Sequence, residues 1–395
     1  MVDHSSNRFS LCADCLIGFR YNGRFYEGGC VNAFTIRAPD DWHCHLRDGD
    51  VLSRTVADQS RYFIRSIVMP NLASPVLTID DAQAYYQRIM MHVPSGRQWQ
   101  PCMTLYLTES MDAKTIRMAK QSSYILAVKL YPAGATTRSE FGVSNLSRIE
   151  PILSVMEEVD LPLLVHGEVV DDACDIFDRE AQFIDRYLQP LVEKFPRLRV
   201  VLEHITTQAA VQFVRSSSSN VAATITPHHL LLNRNDLLVG GLKPHHYCLP
   251  VLKRSRDQQA LIEAAISGYP CFFLGTDSAP HAVDAKESAC GCAGIYSAHA
   301  ALEFYAEVFE QHDALGRLEK FASEYGARFY QLPLNEQRVT LVKASWTVPE
   351  QLTFGSDMLV PLFAGQSIGW SVRDIEPVNN KCDKKGKGSA SEYDY

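Results

Sequence analysis

The chain contains no run of about 18 apolar residues, so nothing in it reads as a membrane-spanning helix. An excess of positive charge is also missing. Lys and Arg number 38 against 46 Asp and Glu, a formal net charge of −8. That balance leaves the chain as a whole without a basic footprint for nucleic acid. No Gly-x-Gly-x-x-Gly follows a strand-like run, which weakens a dinucleotide-binding reading. The N-terminus lacks a continuous apolar h-region, so no secretory signal is expected. The 11 cysteines are scattered without regular spacing, which argues against a secreted disulfide framework. Asp3, Asp14 and Glu27 are interspersed with Arg8, Arg20 and Arg24, whereas a mitochondrial-type transit peptide is poor in acids. A cytoplasmic enzyme is the expectation, with an organellar location as the minor alternative.

What is present is ordinary globular composition with a regular rhythm. The 395 residues, 46% of them hydrophobic, suffice for one large α/β barrel or two average domains. Short apolar runs at 34–38, 66–70, 102–107, 125–131, 162–166, 199–205, 221–226 and 271–275 barely alternate in polarity. That pattern suits strands buried on both faces. Segments with helical spacing lie between most of them, at 79–91, 147–159, 175–195, 208–216 and 255–267. Two more helices are expected at 298–311 and 315–325. Repeated β-then-α alternation predicts a (β/α)8 TIM-type barrel with its site at the C-terminal strand ends. The expected organisation is an N-terminal extension over 1–33, the barrel domain over 34–375 and a polar, disordered tail over 376–395.

The chemistry-bearing residues gather where that barrel would open. His43-Cys44-His45 follows the first run, and histidines at i and i+2 on an extended segment share one side. Lys129, His166, His204 and Asp277 stand at or just past the ends of later runs. Imidazole and carboxylate ligands suit zinc or a similar divalent ion. Singly, each has a plainer reading: a hydrogen-bonded structural histidine, a surface lysine, an aspartate capping a turn. Their recurrence at the same end of several strands favours a shared metal site. An ammonium cannot ligate a metal. A lysine buried among cations loses its proton more readily, and its neutral amine can then take up carbon dioxide.

Pro39-Asp40-Asp41-Trp42-His43-Cys44-His45-Leu46-Arg47-Asp48-Gly49-Asp50 resembles the metal-binding signature of the dihydroorotase family, within the amidohydrolase superfamily. Val68-Met69-Pro70-Asn71-Leu72, Lys129-Leu130-Tyr131-Pro132-Ala133, Leu164-Val165-His166-Gly167-Glu168 and Glu203-His204-Ile205-Thr206-Thr207 resemble it too. So do Tyr247-Cys248-Leu249-Pro250 and Gly275-Thr276-Asp277-Ser278-Ala279-Pro280-His281. The resemblance spans roughly residues 35–374 and is nearest to the compact, monofunctional bacterial form. It implies two zinc ions per subunit. His43, His45 and Asp277 would hold one and His166 and His204 the other. Lys129, as N6-carboxylysine, and a hydroxide or water would bridge them. It further implies that Arg47, Asn71 and His281 grip the substrate's α-carboxylate. Backbone groups of Leu249 and Ala293 would read the amide edge of the ring, and Thr136 and Thr137 would lie on a loop that closes over it. Asp277 would be the catalytic acid and base. The implied reaction is the reversible, zinc-dependent cyclisation of N-carbamoyl-L-aspartate to L-dihydroorotate and water, the third step of UMP synthesis, in a homodimer.

Some positions depart from the family pattern. Gly134 stands where close relatives often carry Asn, which is expected to loosen the loop entrance. Cys44 replaces a common Leu and is read as packing. Cys12-x-x-Cys15 has the spacing of half a metal or redox site, but has no second pair nearby. Cys290-x-Cys292 is read as part of the substrate side, and His228, His229, His245 and His246 as loop residues other than ligands. Two other readings remain. One is a hydantoinase or allantoinase, for which no α-carboxylate grip is needed. The other is a catalytically dead barrel, which would be expected to have lost ligands.

Overall fold

A computed structural model describes residues 32–373 and 375, together with the backbone of two short antiparallel strands, Phe19–Tyr21 and Arg24–Tyr26. Cys12 and Cys15, the rest of the N-terminal extension and the tail over 376–395 lie outside the described residues. Eight parallel strands follow one another around a barrel in chain order. They are Asp41–Cys44, Arg65–Val68, Gln100–Tyr106 and Ile125–Leu130, then Leu163–Val165, Val200–Leu202, Val221–Ile225 and Phe272–Leu274. The last strand returns to the first. Asp277 N–H donates to the His43 carbonyl at 2.9 Å and His45 N–H to the Ser278 carbonyl at 3.0 Å.

Alternation along each strand sorts side chains into two cores. Trp42, Ile67, Cys102, Ala127, Leu164, Val201, Ala222 and Phe273, one from each strand, pack together inside the barrel. Their neighbours Val68, Met103, Val128, Val165, Leu202, Ala223 and Leu274 belong to the outer core beneath the helices, and Cys44, two residues after Trp42, joins them across a register shift in the first strand. Tyr325, Ala327 and Tyr330 join the inner core, with Tyr330 stacked on Trp42 at 4.7 Å between ring centroids. Gly326 permits this approach, because a Cβ there would fall 1.9 Å from Trp42 Nε1.

The first predicted strand needs correction. Ala33–Arg37 is a strand, but it lies outside the barrel. It pairs antiparallel with Arg338–Thr347, which pairs in turn with Ser367–Val372 in a separate three-stranded sheet. The barrel's first strand is the segment Asp41–Cys44, in which Asp41 and His43 interrupt the apolar pattern that marks the other strands. Its acid is held: Asp41 accepts from Thr276 N–H and Oγ1–H at 2.8 and 2.7 Å and from Gln59 at 2.6 Å, tying the two ends of the sheet together.

The helices follow their expected spans closely where a cap marks the start. Thr207 accepts from Ala210 N–H and opens Gln208–Ser216. Thr78 and Asp81 form a capping box opening Ile79–Met90. The 175–195 segment is helical only from Arg179, with a π turn at Ile184–Leu188. Helices Leu52–Gln59 and Ala113–Gln121 continue the same alternation after the first and third barrel strands. His228 and His229 are buried in the short helix Pro227–Leu231 rather than in a loop.

Candidate metal and substrate site at the strand ends

The two-residue period that buries Ala127, Leu164 and Val201 inside the barrel turns Lys129, His166 and Glu203 inward two positions later. His43 comes inward through a register shift in the first strand between Asp41 and Cys44. Cys44 packs into the outer core, as expected. Just past the strands the backbone turns left-handed at Arg47 (φ 62°), His204 (φ 44°) and Asp277 (φ 44°). Such backbone costs roughly 1–3 kcal/mol per non-glycine residue and is typically held in place by surrounding structure at functional sites.

The imidazoles and the aspartate converge. Asp277 Oδ1 lies 3.0 Å from His45 Nε2 and 3.2 Å from His43 Nε2. The His43 and His204 rings are 5.0 Å apart between centroids, and those of His204 and His166 are 4.8 Å apart. His43, His204 and Asp277 each offer a ligand atom within 4.8 Å of the others. Burial favours a neutral imidazole at His204, held well below its ordinary pKa, and its Nδ1 is buried without a partner. Burial likewise brings His45 down to about 4 against the pull of Asp277. Burial also acts to lower His43, but Glu203 and Asp277 outweigh it and hold that ring at about 9. The neutral, desolvated imidazoles of His45 and His204 beside a carboxylate, His204 with an unpaired nitrogen, fit a divalent cation.

Lys129 is fully buried, and its Nζ contacts Glu203 Oε2. Burial lowers its pKa, although Glu203 opposes the shift. Glu203 Oε1 also lies 3.1 Å from His43 Nδ1, so one carboxylate ties the lysine to the first histidine. Sequence reasoning passed over Glu203. The signal was its place two residues beyond inward-facing Val201. Glu168, 2.7 Å from His166 Nε2, is a second acid of this kind.

His43, His45, Arg47, Asn71, Thr136, Thr137, His166, His204, Leu249, Asp277 and Ala293 line one cavity. His281 joins through Arg47, whose Nη2 is 2.8 Å from His281 Nε2. Asn71 donates to the Thr137 carbonyl at 3.1 Å, and Thr137 Oγ1 reaches the Ala293 carbonyl at 3.5 Å. Thr136 is pinned by Ser139 Oγ, which accepts from its N–H at 2.9 Å and donates to its carbonyl at 2.6 Å. Gly134 has φ 83°, a conformation that Gly and Asn tolerate best, and its N–H donates to Ser139 O.

His228, His229 and Cys248 also present ligand atoms close together. Both His229 nitrogens are already engaged, Nδ1 with Thr226 Oγ1 at 2.7 Å and Nε2 with the Pro250 carbonyl at 3.0 Å. His229 thus braces the segment next to Leu249. His245 pairs with Glu287 at 2.8 Å and His246 with the Asp236 carbonyl at 2.9 Å.

The amidohydrolase family model matches residues 36–335, and the chain belongs to that family. A dihydroorotase from Coxiella burnetii is 59% identical over 346 residues, covering 88% of this chain and 99% of that one. A solved dihydroorotase from Campylobacter jejuni aligns with a TM-score of 0.80 and 36% identity over 87% of this chain and 98% of its own. The Saccharomyces cerevisiae enzyme, solved in complex with 5-fluoroorotic acid, aligns with a TM-score of 0.80 and 33% identity over 88% of this chain and 100% of its own. Within the amidohydrolases the chain groups with the dihydroorotases, hydrolases of a cyclic amide. Among the described residues no helix is long and apolar enough to cross a membrane.

Proposed function

We propose that the chain interconverts N-carbamoyl-L-aspartate and L-dihydroorotate at this rim, as a cytoplasmic homodimer whose barrel domain spans 34–375. One observation carries the reading. A buried histidine–aspartate donor set faces the same small cavity as Arg47 and Asn71, with His281 held against Arg47. A substrate held there by its α-carboxylate presents its amide to the donors.

His43, His45 and Asp277 would hold one zinc ion and His166 and His204 the second, with Lys129 as a carbamate between them. Lys129 forms that carbamate when its neutral amine adds to carbon dioxide and releases a proton. When bound, the metals supply positive charge at the reacting carbonyl and acidify water. Everything else falls to the chain. Asp277 accepts the proton of the attacking water and returns it to the departing ring nitrogen. Arg47 offers a planar fork matched to a carboxylate. His281 Nε2 lies within reach of both Arg47 Nη2 and the Ala293 carbonyl, at 2.8 and 3.0 Å, and one nitrogen can serve only one of them. A carboxylate that accepts from Arg47 leaves the Nε2–H free for Ala293. Burial and the nearby Arg47 charge lower His281 to about 2, so it works as a neutral ring. Thr136 and Thr137 cover the substrate, and backbone groups of Leu249 and Ala293 read the amide edge.

The test is a comparison of L-dihydroorotate with hydantoin and allantoin using the zinc-loaded protein. Turnover strongly favouring dihydroorotate is expected, and preference for hydantoin would overturn the assignment.

A further inference from the structure

Lys286 is absent from the chemistry described above, yet it is only 3% exposed. It ends the short helix Val283–Lys286, beyond the last strand. Its ammonium donates to three carbonyls, those of Tyr247 at 2.7 Å, Cys292 at 2.8 Å and Gly294 at 2.7 Å. An ammonium has three protons, so the set is complete. Two acceptors flank Ala293 and the third lies two residues before Leu249. These are the two backbone segments assigned to the amide edge of the substrate.

We infer that Lys286 is a positioning residue for amide recognition, aiming the backbone of Ala293 into the cavity and joining its segment to the one that carries Leu249. The inference rests on the functional reading above. The geometry follows from peptide planarity. In a trans peptide the C=O and the next N–H point in opposite directions. The Cys292 carbonyl points at Lys286, so the Ala293 N–H points away from it. Gly294 N–H donates to the Tyr247 carbonyl at 2.9 Å, so the Ala293 carbonyl is turned the other way as well. That carbonyl meets His281 Nε2 at 3.0 Å and Thr137 Oγ1 at 3.5 Å, on the substrate side. Ala293 itself lines the cavity. Both peptide planes of this residue are therefore set from behind, by one side chain and the strand-like contact it supports. A hydrophobic residue in place of Lys286 would leave the Cys292 and Gly294 carbonyls without that donor and the Tyr247 carbonyl with Gly294 N–H alone, loosening the hold on both planes.

A side chain that fixes a substrate contact remote from the bond being broken contributes uniform binding, which is read in KM more than in kcat. The experiment uses Lys286→Met in the zinc-loaded protein. It measures KM and kcat for L-dihydroorotate, and inhibition by orotate and by succinate. Orotate carries both a carboxylate and a ring amide edge. Succinate carries carboxylates alone and probes only the Arg47–Asn71–His281 grip. We expect KM and the orotate inhibition constant to rise about tenfold or more, with a smaller fall in kcat and succinate inhibition close to wild type. Unchanged KM, or equal weakening of orotate and succinate, would overturn the role. If Lys286→Met fails to fold, Lys286→Gln retains two N–H donors and carries the same comparison. Selective weakening of orotate supports the inference and parallel or absent changes defeat it. Lack of dihydroorotate turnover by the wild-type protein would instead defeat the functional reading itself.

Discussion

Asp277 is placed to do two things at once, because one of its oxygens faces His43 and His45 while its backbone closes the barrel against the first strand. Burial would raise its pKa, but the surrounding histidines hold it well below the usual carboxylate range, with His43 the largest of these influences. An ionised carboxylate is what a proton acceptor needs. Asp277→Asn is nearly isosteric and still presents an oxygen, but it cannot accept the proton. Turnover should fall by about 10²–10⁴-fold with orotate still bound, as read by single-site inhibition or calorimetry. Near-normal turnover would remove Asp277 from its role. Arg47→Lys keeps the charge but loses the fork. KM for dihydroorotate should rise about tenfold with a smaller change in kcat.

At the scale of elements, the inner core transmits errors to the rim. Trp42 immediately precedes His43 and packs against the chain at Gly326 and Tyr330. A methyl group at 326 would collide with the Trp42 indole, so Gly326→Ala should destabilise by about 1–3 kcal/mol, visible as a lower Tm in the metal-free and zinc-loaded protein alike. The loop bearing Thr136 and Thr137 is followed by a surface anchor. Glu109 accepts from Ser144 N–H, Ser144 Oγ and Asn145 N–H and pairs with Arg148, and these contacts, Arg148 first, lower its pKa from 4.5 to about 2. A depressed carboxylate pKa adds stability above pH 4.5 that disappears as the pH falls toward 2. Amide-exchange protection at Ser144 and Asn145 should accordingly hold at pH 5 and fall between pH 4.5 and 2. Seven of the barrel strands were legible because runs such as 125–131 and 221–226 are apolar on both faces. The first was not, since Asp41–Cys44 is stabilised by Thr276 and Gln59, which lie 235 and 18 residues away in the chain. Periodicity cannot register such partners. Period two does turn Glu203 inward beyond Val201, but its meeting with Lys129 and His43, which gives it importance, is a long-range contact of the same kind.

Across the whole molecule, the barrel supplies the spacing of the strand ends, and in the proposed function the loops would supply selectivity. The candidate donors sit at or just past the first, fifth, sixth and eighth strand ends, and the residues proposed to grip the carboxylate spread over segments from Arg47 to His281. Chelation should remove activity and lower Tm, and zinc should restore both, the stabilisation growing with the logarithm of free zinc. If the candidate metal donors and the proposed carboxylate grip form one site, that site takes a cyclic ureide acid. The most direct measurement is steady-state hydrolysis of L-dihydroorotate by the purified, zinc-loaded chain, beside hydantoin under identical conditions. Ready turnover of dihydroorotate is expected, with little or none of hydantoin. Turnover of hydantoin at the higher rate, or of neither compound with zinc bound, would contradict it.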